Sequence, residues 1–342
     1  MEIKQALEKL LEHQNLALDE IRSVMMAIMT GEATQAQIGA LLVALRMKGE
    51  TVTEITGAAQ VMRQLATPVN LSCPHQVDIV GTGGDSTGTF NVSTASAFVA
   101  AAAGAHVAKH GNRSVSSNSG SADLLEAAGV KLALSPEQVA RCVEEMGIGF
   151  MFAVNHHAAM KHAIGPRREL GVRTIFNLLG PLTNPAGVEN MLLGVFDKKW
   201  VRPIAEVMAE LGARHVMVVH SEDGLDEISI AASTWVAELK AGKISEYQIS
   251  PADFGMDTAS LDSLKVSGPE QSLAVIKKAL GKSGGAASDI VCLNAGAAIY
   301  VSGIAESLAE GVSMAQDAIG SGLARAKIDD LASFTNCFEN GN

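Results

Sequence analysis

Three stretches of the chain combine residue types that could hold a phosphate and the cation that goes with it. In the first, Val77-Asp78-Ile79-Val80 reads as a buried strand and stops at Gly81-Thr82-Gly83-Gly84-Asp85, after which Asn91-Val92-Ser93-Thr94 opens an alanine-rich helix. Glycines let the backbone approach an anion closely, and exposed N–H groups at a helix start supply donors. Two common phosphate loops do not fit. A dinucleotide fingerprint needs a glycine where Ser86 stands, and a Walker A loop from Gly83 to Gly88 needs a lysine where Thr89 stands. The stretch is either a plain tight turn or a phosphate cradle of another kind.

The second stretch runs from Lys109 through His110, Gly111, Asn112, Arg113, Ser114, Val115, Ser116, Ser117, Asn118, Ser119 and Gly120 to Ser121. Cations and hydroxyls ahead of a helix suit several phosphate oxygens, and a solvated serine-rich loop is the plainer alternative. In the third, His220-Ser221-Glu222-Asp223-Gly224-Leu225-Asp226-Glu227, carboxylates crowd the loop after a strand. Mg2+ takes oxygen ligands and keeps several waters, so one or two carboxylates plus substrate phosphates suffice to hold it; a solvated acidic turn holds none. Arg167 and Arg168 open a helical stretch, as a surface pair or as a cationic fork for a carboxylate or phosphate. His156, His157 and His162 lack the spacing of a zinc helix, and no nucleophile elbow or Cys-His pair is present.

The elements that must position these loops follow from periodicity. Residues 1 to about 66 read as four short helices, with capping boxes at Thr34/Gln37 and Thr51/Glu54 and stops at Gly31 and Gly49. Thr67-Pro68 breaks the pattern and marks a hinge. Strands and helices then alternate: strand 77–80, helix 93–103, strand 106–109, helix 121–128, helix 136–146 begun by Ser135-Pro136, and the apolar run Ile148 to Val154. Helical patterning covers 155–161 and 167–179. Helix 199–211, strand 216–219 and a hairpin over 234–249 come next. Three helices near 270–281, 288–302 and 305–325 close the chain, the middle one capped by Ser288 or Asp289. The rhythm predicts an α/β domain with a mostly parallel sheet, and all three loops lie at carboxyl ends of its strands, where open α/β sheets bind ligands.

Composition narrows the partners. The 342 residues are 47% hydrophobic and 18% charged, enough for a sizeable core, and only 4% aromatic. A formal charge of −11 argues against nucleic acid or an anionic membrane as partner. The four cysteines (Cys73, Cys142, Cys292, Cys337) are far apart, as in a reducing cytosol. The N-terminus reads as an amphipathic helix rather than a signal peptide, and no stretch is long enough to span a bilayer.

Taken together, Gly81–Asp85, Asn91–Thr94, Lys109–Ser117, Arg167-Arg168-Glu169-Leu170-Gly171-Val172-Arg173-Thr174-Ile175-Phe176-Asn177, Gly180-Pro181-Leu182-Thr183-Asn184-Pro185 and Asp223–Glu227 occur in the order and spacing of the anthranilate phosphoribosyltransferases. The chain resembles that family over nearly its whole length. The resemblance implies transfer of phosphoribose from phosphoribosyl pyrophosphate (PRPP) to the amine of anthranilate, the second step of tryptophan synthesis from chorismate. It implies a small helical domain, residues 1–68 with a returning segment near 167–190, hinged to an α/β catalytic domain of nucleoside phosphorylase type, residues 69–342. A cytoplasmic homodimer formed through the helical domains is also implied.

By the same resemblance Gly81, Gly84, Asp85, Thr89, Asn91, Val92, Ser93, Thr94, Lys109, His110, Gly111, Asn112, Arg113, Ser114, Val115, Ser116, Ser117 and Ser121 match the PRPP site. Ser93, Asp226 and Glu227 match ligands of magnesium, expected as two ions. Gly81, Asn112 and Arg167 match anthranilate contacts. No residue is expected to serve as a dedicated acid or base, because an aromatic amine is already neutral at pH 7; Lys109 and the metal would stabilise departing pyrophosphate. A nucleoside phosphorylase and a non-catalytic phosphoribosyl-ligand binder are the competing readings.

Overall fold

The computed structural model describes residues 1–84, 88–113, 119–281 and 284–338. It opens with α1 (Ile3–Leu11), α2 (Leu18–Met29), α3 (Gln35–Lys48) and α4 (Val52–Leu65). Both expected capping boxes form: the Thr34 and Thr51 hydroxyls accept from the N–H groups of Gln37 and Glu54, whose side chains accept from the cap N–H groups at 2.9 Å. Glu54 does more than cap. It is fully buried, and it also accepts from Leu16 N–H and from Lys48 Nζ, each at 2.9 Å, so one carboxylate joins three segments of the bundle.

The alternating part follows as β1 (Gln76–Gly81), α5 (Val92–Ala102), β2 (His106–Gly111), α6 (Ser121–Ala127), α7 (Pro136–Met146) and β3 (Ile148–Phe152). The chain then returns to the bundle through α8 (Ala153–His156), α9 (Lys161–Leu170) and α10 (Ile175–Leu179); α9 packs on α2 and α3, and α10 on α3 and α4. It re-enters the sheet with β4 (Asn190–Gly194), α11 (Val201–Glu210), β5 (His215–Ser221), β6 (Thr234–Lys240) and β7 (Lys243–Ile249). The end of the described chain is α12 (Pro269–Ala279), α13 (Ala286–Val301), α14 (Leu308–Gly320) and α15 (Leu323–Asn336).

The seven strands run in the order β3-β2-β1-β4-β5-β6-β7, parallel from β3 to β5 and antiparallel at β6 and β7. The chain winds outward from β1 to β3, then crosses back to β4 on the other side of β1. That reversal makes the carboxyl ends of β1 and β4 the switch point where such sheets open a crevice.

Several local expectations need correction. Strand β4 was not read from the sequence, because only Met191, Leu192 and Leu193 form its apolar run. The helix expected over 305–325 ends at Gly320, Gly322 adopts φ +83°, and α15 follows as a separate helix. Gly285 caps α13, so Ser288 and Asp289 lie inside its first turn. Arg167 and Arg168 end α9 rather than opening a helix. Pro166 sits inside α9, where it leaves the carbonyl of His162 without its helical donor; Gln35 of α3 donates to that carbonyl at 3.4 Å.

Candidate active site

The site begins with a fork in the sheet. The β1–β2 ladder pairs only Gln76 with His106 and Val77 with Val107, whereas β1 stays beside β4 to Gly81 and Gly194. Beyond Val77, buried side chains take over the backbone groups that the parting strands leave. Lys109 Nζ donates to Ile79 O at 2.6 Å, Asp78 accepts from His110 N–H at 3.3 Å, and Asn184 Nδ2 donates to Ala108 O at 2.9 Å and to Asp78 at 2.7 Å. Burial pushes the Asp78 carboxyl up to about 6, against the pull of Lys109, Asn184 and the His110 N–H. Burial also lowers the Lys109 ammonium from its ordinary value, while Asp78 and Glu227 pull it back. A cation that bonds Ile79 O and lies 3.3 Å from Ser93 Oγ is therefore held at the mouth of the fork.

The acidic loop divides its carboxylates. Glu222 accepts from Gln248, and Asp223 accepts within its own turn, from Ser229 Oγ at 2.5 Å and Leu225 N–H. Asp226 and Glu227 enter the site. Asp226 accepts from Gly83 N–H at 2.6 Å, and Glu227 accepts from Ser93 N–H at the start of α5 at 3.1 Å. Asn294 of α13 fixes the loop behind them, accepting from Ile228 N–H and donating to Ile228 O. Asp226 can sit there because two ladder partners, Gly81 and Gly194, lack side chains. A Cβ on Gly81 would fall 2.4 Å from Asp226 Oδ2, and one on Gly194 would fall 1.5 Å from Asp226 O. Gly81, Ser93, Gly194, Asp226, Glu227 and Asn294 line a common cavity.

The other expected PRPP residues surround this centre. Asn91 caps α5 by accepting from Thr94 N–H at 3.0 Å, and Thr94 Oγ1 meets Ser121 Oγ at 3.2 Å, linking the starts of α5 and α6. Val92 is fully buried, so only its backbone can serve a ligand. Thr89 pairs with Lys265 in an isolated antiparallel bridge that the sequence did not suggest. Gly111 lies against Phe150 and Ser121, and Asn112 is exposed. Arg113 is engaged by acids of α6, bonding Asp123 at 3.0 Å and Glu126 at 2.8 Å. Asp85 and Ser114, Val115, Ser116 and Ser117 lie outside the described residues.

On the bundle side, residues 176–183 lie beside Arg167, one of the three expected anthranilate contacts, and beside His110 and His157. The Arg167 guanidinium lies 5.2 Å over the Phe176 ring, partly buried, while Arg168 is exposed. His110 bonds the backbone at Gly180 and His157 the backbone at Thr183. The two rings stand 5.1 Å apart. Burial, reinforced by neighbouring histidines, keeps both neutral: His157 falls to about 4 and His110 well below its ordinary value. Their Nε2 atoms are buried with no hydrogen-bond partner among the described residues, which leaves polar capacity for a ligand. Sequence reasoning considered His157 only for a zinc site and Arg173 only as part of the family-matching run, and it did not single out Gly194. Only proximity in the fold distinguishes the first from its neighbours, and a strand-ending glycine carries no motif.

The same arrangement recurs in known proteins. Residues 4–66 match the helical bundle domain of a glycosyl transferase family, and residues 73–325 match its α/β domain. Anthranilate phosphoribosyltransferase from Cellvibrio japonicus is 64% identical over 98% of this chain and 99% of its own. This chain belongs to the anthranilate phosphoribosyltransferase family. The family's enzyme from Thermus thermophilus superposes with a TM-score of 0.91 at 45% identity, covering 97% of this chain and 99% of that one. Anthranilate phosphoribosyltransferase from Saccharomyces cerevisiae, solved in complex with PRPP and Mg, gives 0.90 at 26% identity over 98% of each chain.

Proposed function

We infer that the protein transfers the 5-phosphoribosyl group of PRPP to the amine of anthranilate, giving N-(5-phosphoribosyl)anthranilate and pyrophosphate in tryptophan biosynthesis. The observation that carries this reading is the seating of Asp226 on Gly81 and Gly194 at the sheet switch point, with Glu227, Ser93 and Lys109 beside it. The pyrophosphate end of PRPP lies along the β1 loop and the start of α5, where backbone N–H groups and Lys109 face developing negative charge. Anthranilate lies toward Arg167, His110, His157 and Asn112. Arg167 meets its carboxylate, and the neutral imidazoles accept from or donate to its polar groups without competing charge. The chain's own residues position two substrates in line, so orientation accounts for most of the rate.

Ser93, Asp226 and Glu227 offer the hard oxygen donors that magnesium prefers, and among the described residues no larger His, Cys, Asp or Glu cluster competes with them. Ser93, Asp226 and Glu227 would hold the magnesium, proposed as two ions, and it would supply positive charge against the leaving pyrophosphate. No helix among the described residues is long and apolar enough to cross a membrane, and the described cysteines are unpaired thiols; both fit a cytoplasmic enzyme. The fluorescence of product formed from anthranilate and PRPP tests the whole reading. Turnover that needs magnesium supports it; phosphorolysis of uridine or thymidine with no such turnover overturns it.

A further inference from the structure

Arg173 stands where the chain leaves the bundle side after α9, and it touches both halves of the molecule. Its guanidinium donates to the carbonyl of Gly84 in the β1 loop and lies 4.1 Å over the ring of Phe196, which follows β4. The Phe196 N–H in turn donates to Thr82 Oγ1 at 2.9 Å, so ring and loop are tied together. On the other side, the backbone carbonyl of Arg173 accepts from Arg46 in the last turn of α3. A chain of contacts thus runs from the helical bundle through Arg173 to the glycine loop.

The loop's chemistry explains why such a contact matters. Gly83 and Gly84 adopt φ +67° and +79°, a conformation that turns successive peptide groups in different directions. A carbonyl aimed into an anion site repels the anion, whereas an N–H attracts it. Asp226 fixes the Gly83 N–H and the guanidinium fixes the Gly84 carbonyl. A side chain on Gly84 would begin 2.9 Å from that guanidinium, so the two are in close apposition.

We propose that Arg173 is a positioning residue for PRPP, holding the Gly84 carbonyl out of the pyrophosphate site and tying the loop to α3 through Arg46. It rests on the phosphoribosyl-transfer reading for its ligand only. The test is PRPP binding by calorimetry, which needs no acceptor, together with steady-state kinetics. Arg173→Met keeps an unbranched apolar stem but loses the charged hydrogen bond and the guanidinium over Phe196, and should weaken PRPP binding and raise its KM by about tenfold or more. The effect on kcat should be smaller and the melting temperature nearly unchanged. Arg173→Lys should fall between, since an ammonium can reach the carbonyl but cannot stack as a plane. Arg46→Ala should weaken PRPP binding less, and add nothing in the double variant with Arg173→Met. PRPP affinity within twofold of wild type in Arg173→Met, full affinity in Arg173→Lys, or fully multiplicative effects with Arg46→Ala would overturn the proposal. Wild-type protein that binds PRPP but does not modify anthranilate would count against the functional reading alone.

Discussion

At the scale of single residues, the site depends as much on missing atoms as on functional groups. Asp226 reaches Gly83 only because Gly81 and Gly194, facing each other across the β1–β4 ladder, leave room for it. Gly194→Ala would drive a methyl group into the Asp226 backbone, and that carbonyl cannot move without shifting the acidic loop. We expect a stability loss of about 1–3 kcal/mol by urea unfolding, as for other overpacked sites. Turnover should fall roughly 100-fold or more, since small misplacements at a reacting centre cost that much. A variant as active as wild type would mean that the loop seats elsewhere. Asp226→Ala combined with Glu227→Ala should abolish magnesium-dependent turnover while circular dichroism shows the fold intact. Residue types alone pointed to this acidic loop without sorting its members; only the family resemblance singled out Asp226 and Glu227. Glu222 and Asp223 have the same chemistry as Asp226 and Glu227, and only the strand end and the Asn294 clamp turn one pair inward.

At the scale of elements, what was legible depended on whether a rule is local. Capping boxes involve four consecutive residues, so the helices begun by Thr34 and Thr51 were readable in advance. The alternation of strands and helices from β1 to β3 was equally visible, because its apolar runs are bounded by glycines and a capped proline. The β1–β2 fork was not, since Asp78, Lys109 and Asn184 meet only after the sheet forms. Asn184→Ala would strip a buried donor from both Asp78 and the Ala108 carbonyl, and should cost about 1–3 kcal/mol in chemical denaturation. At the opposite end of the sheet, buried Glu238 of β6 accepts from His215, Tyr247 and Tyr300 at 2.7–2.8 Å. Burial alone would raise its pKa, but these three hydrogen bonds outweigh burial and hold it at about 2. A depressed carboxyl contributes stability above its unfolded value, near 4.5, and loses it as pH falls toward 2. Melting temperature should therefore drop more steeply between pH 4.5 and 2 in wild type than in Glu238→Gln. Parallel curves would show that the cluster does not hold the carboxylate charged.

At the scale of the whole molecule, the helical bundle is tied by polar bonds to the segments that carry the chain between it and the sheet. Arg63 of α4 donates to Leu182 O at 2.7 Å, Thr67 and His156 exchange bonds just after α4, and Val69 N–H reaches Pro185 O. The bundle's outer edge is less finished. Leu11 and Met47 are 74% and 76% exposed, and Leu18 is partly exposed. Leu11 and Leu18 flank the α1–α2 turn, and Lys48, next to Met47, donates to Asn15 in that turn, so the three lie along one edge. We propose that Leu11, Leu18 and Met47 form part of the homodimer contact through the helical domains that the family resemblance implies. Sedimentation should give about twice the 35.5 kDa of one chain, and Leu11→Glu with Met47→Glu should return the protein to a monomer without unfolding it. Each copy carries a net charge of −11, so the two repel at long range. Raising salt from 0.02 to 0.5 M, which shortens the screening length from about 20 to about 4 Å, should tighten the dimer rather than weaken it. A monomer at every concentration and salt would remove the bundle edge as an interface. Dissociation by salt would instead point to a contact built on opposite charges rather than on these apolar side chains.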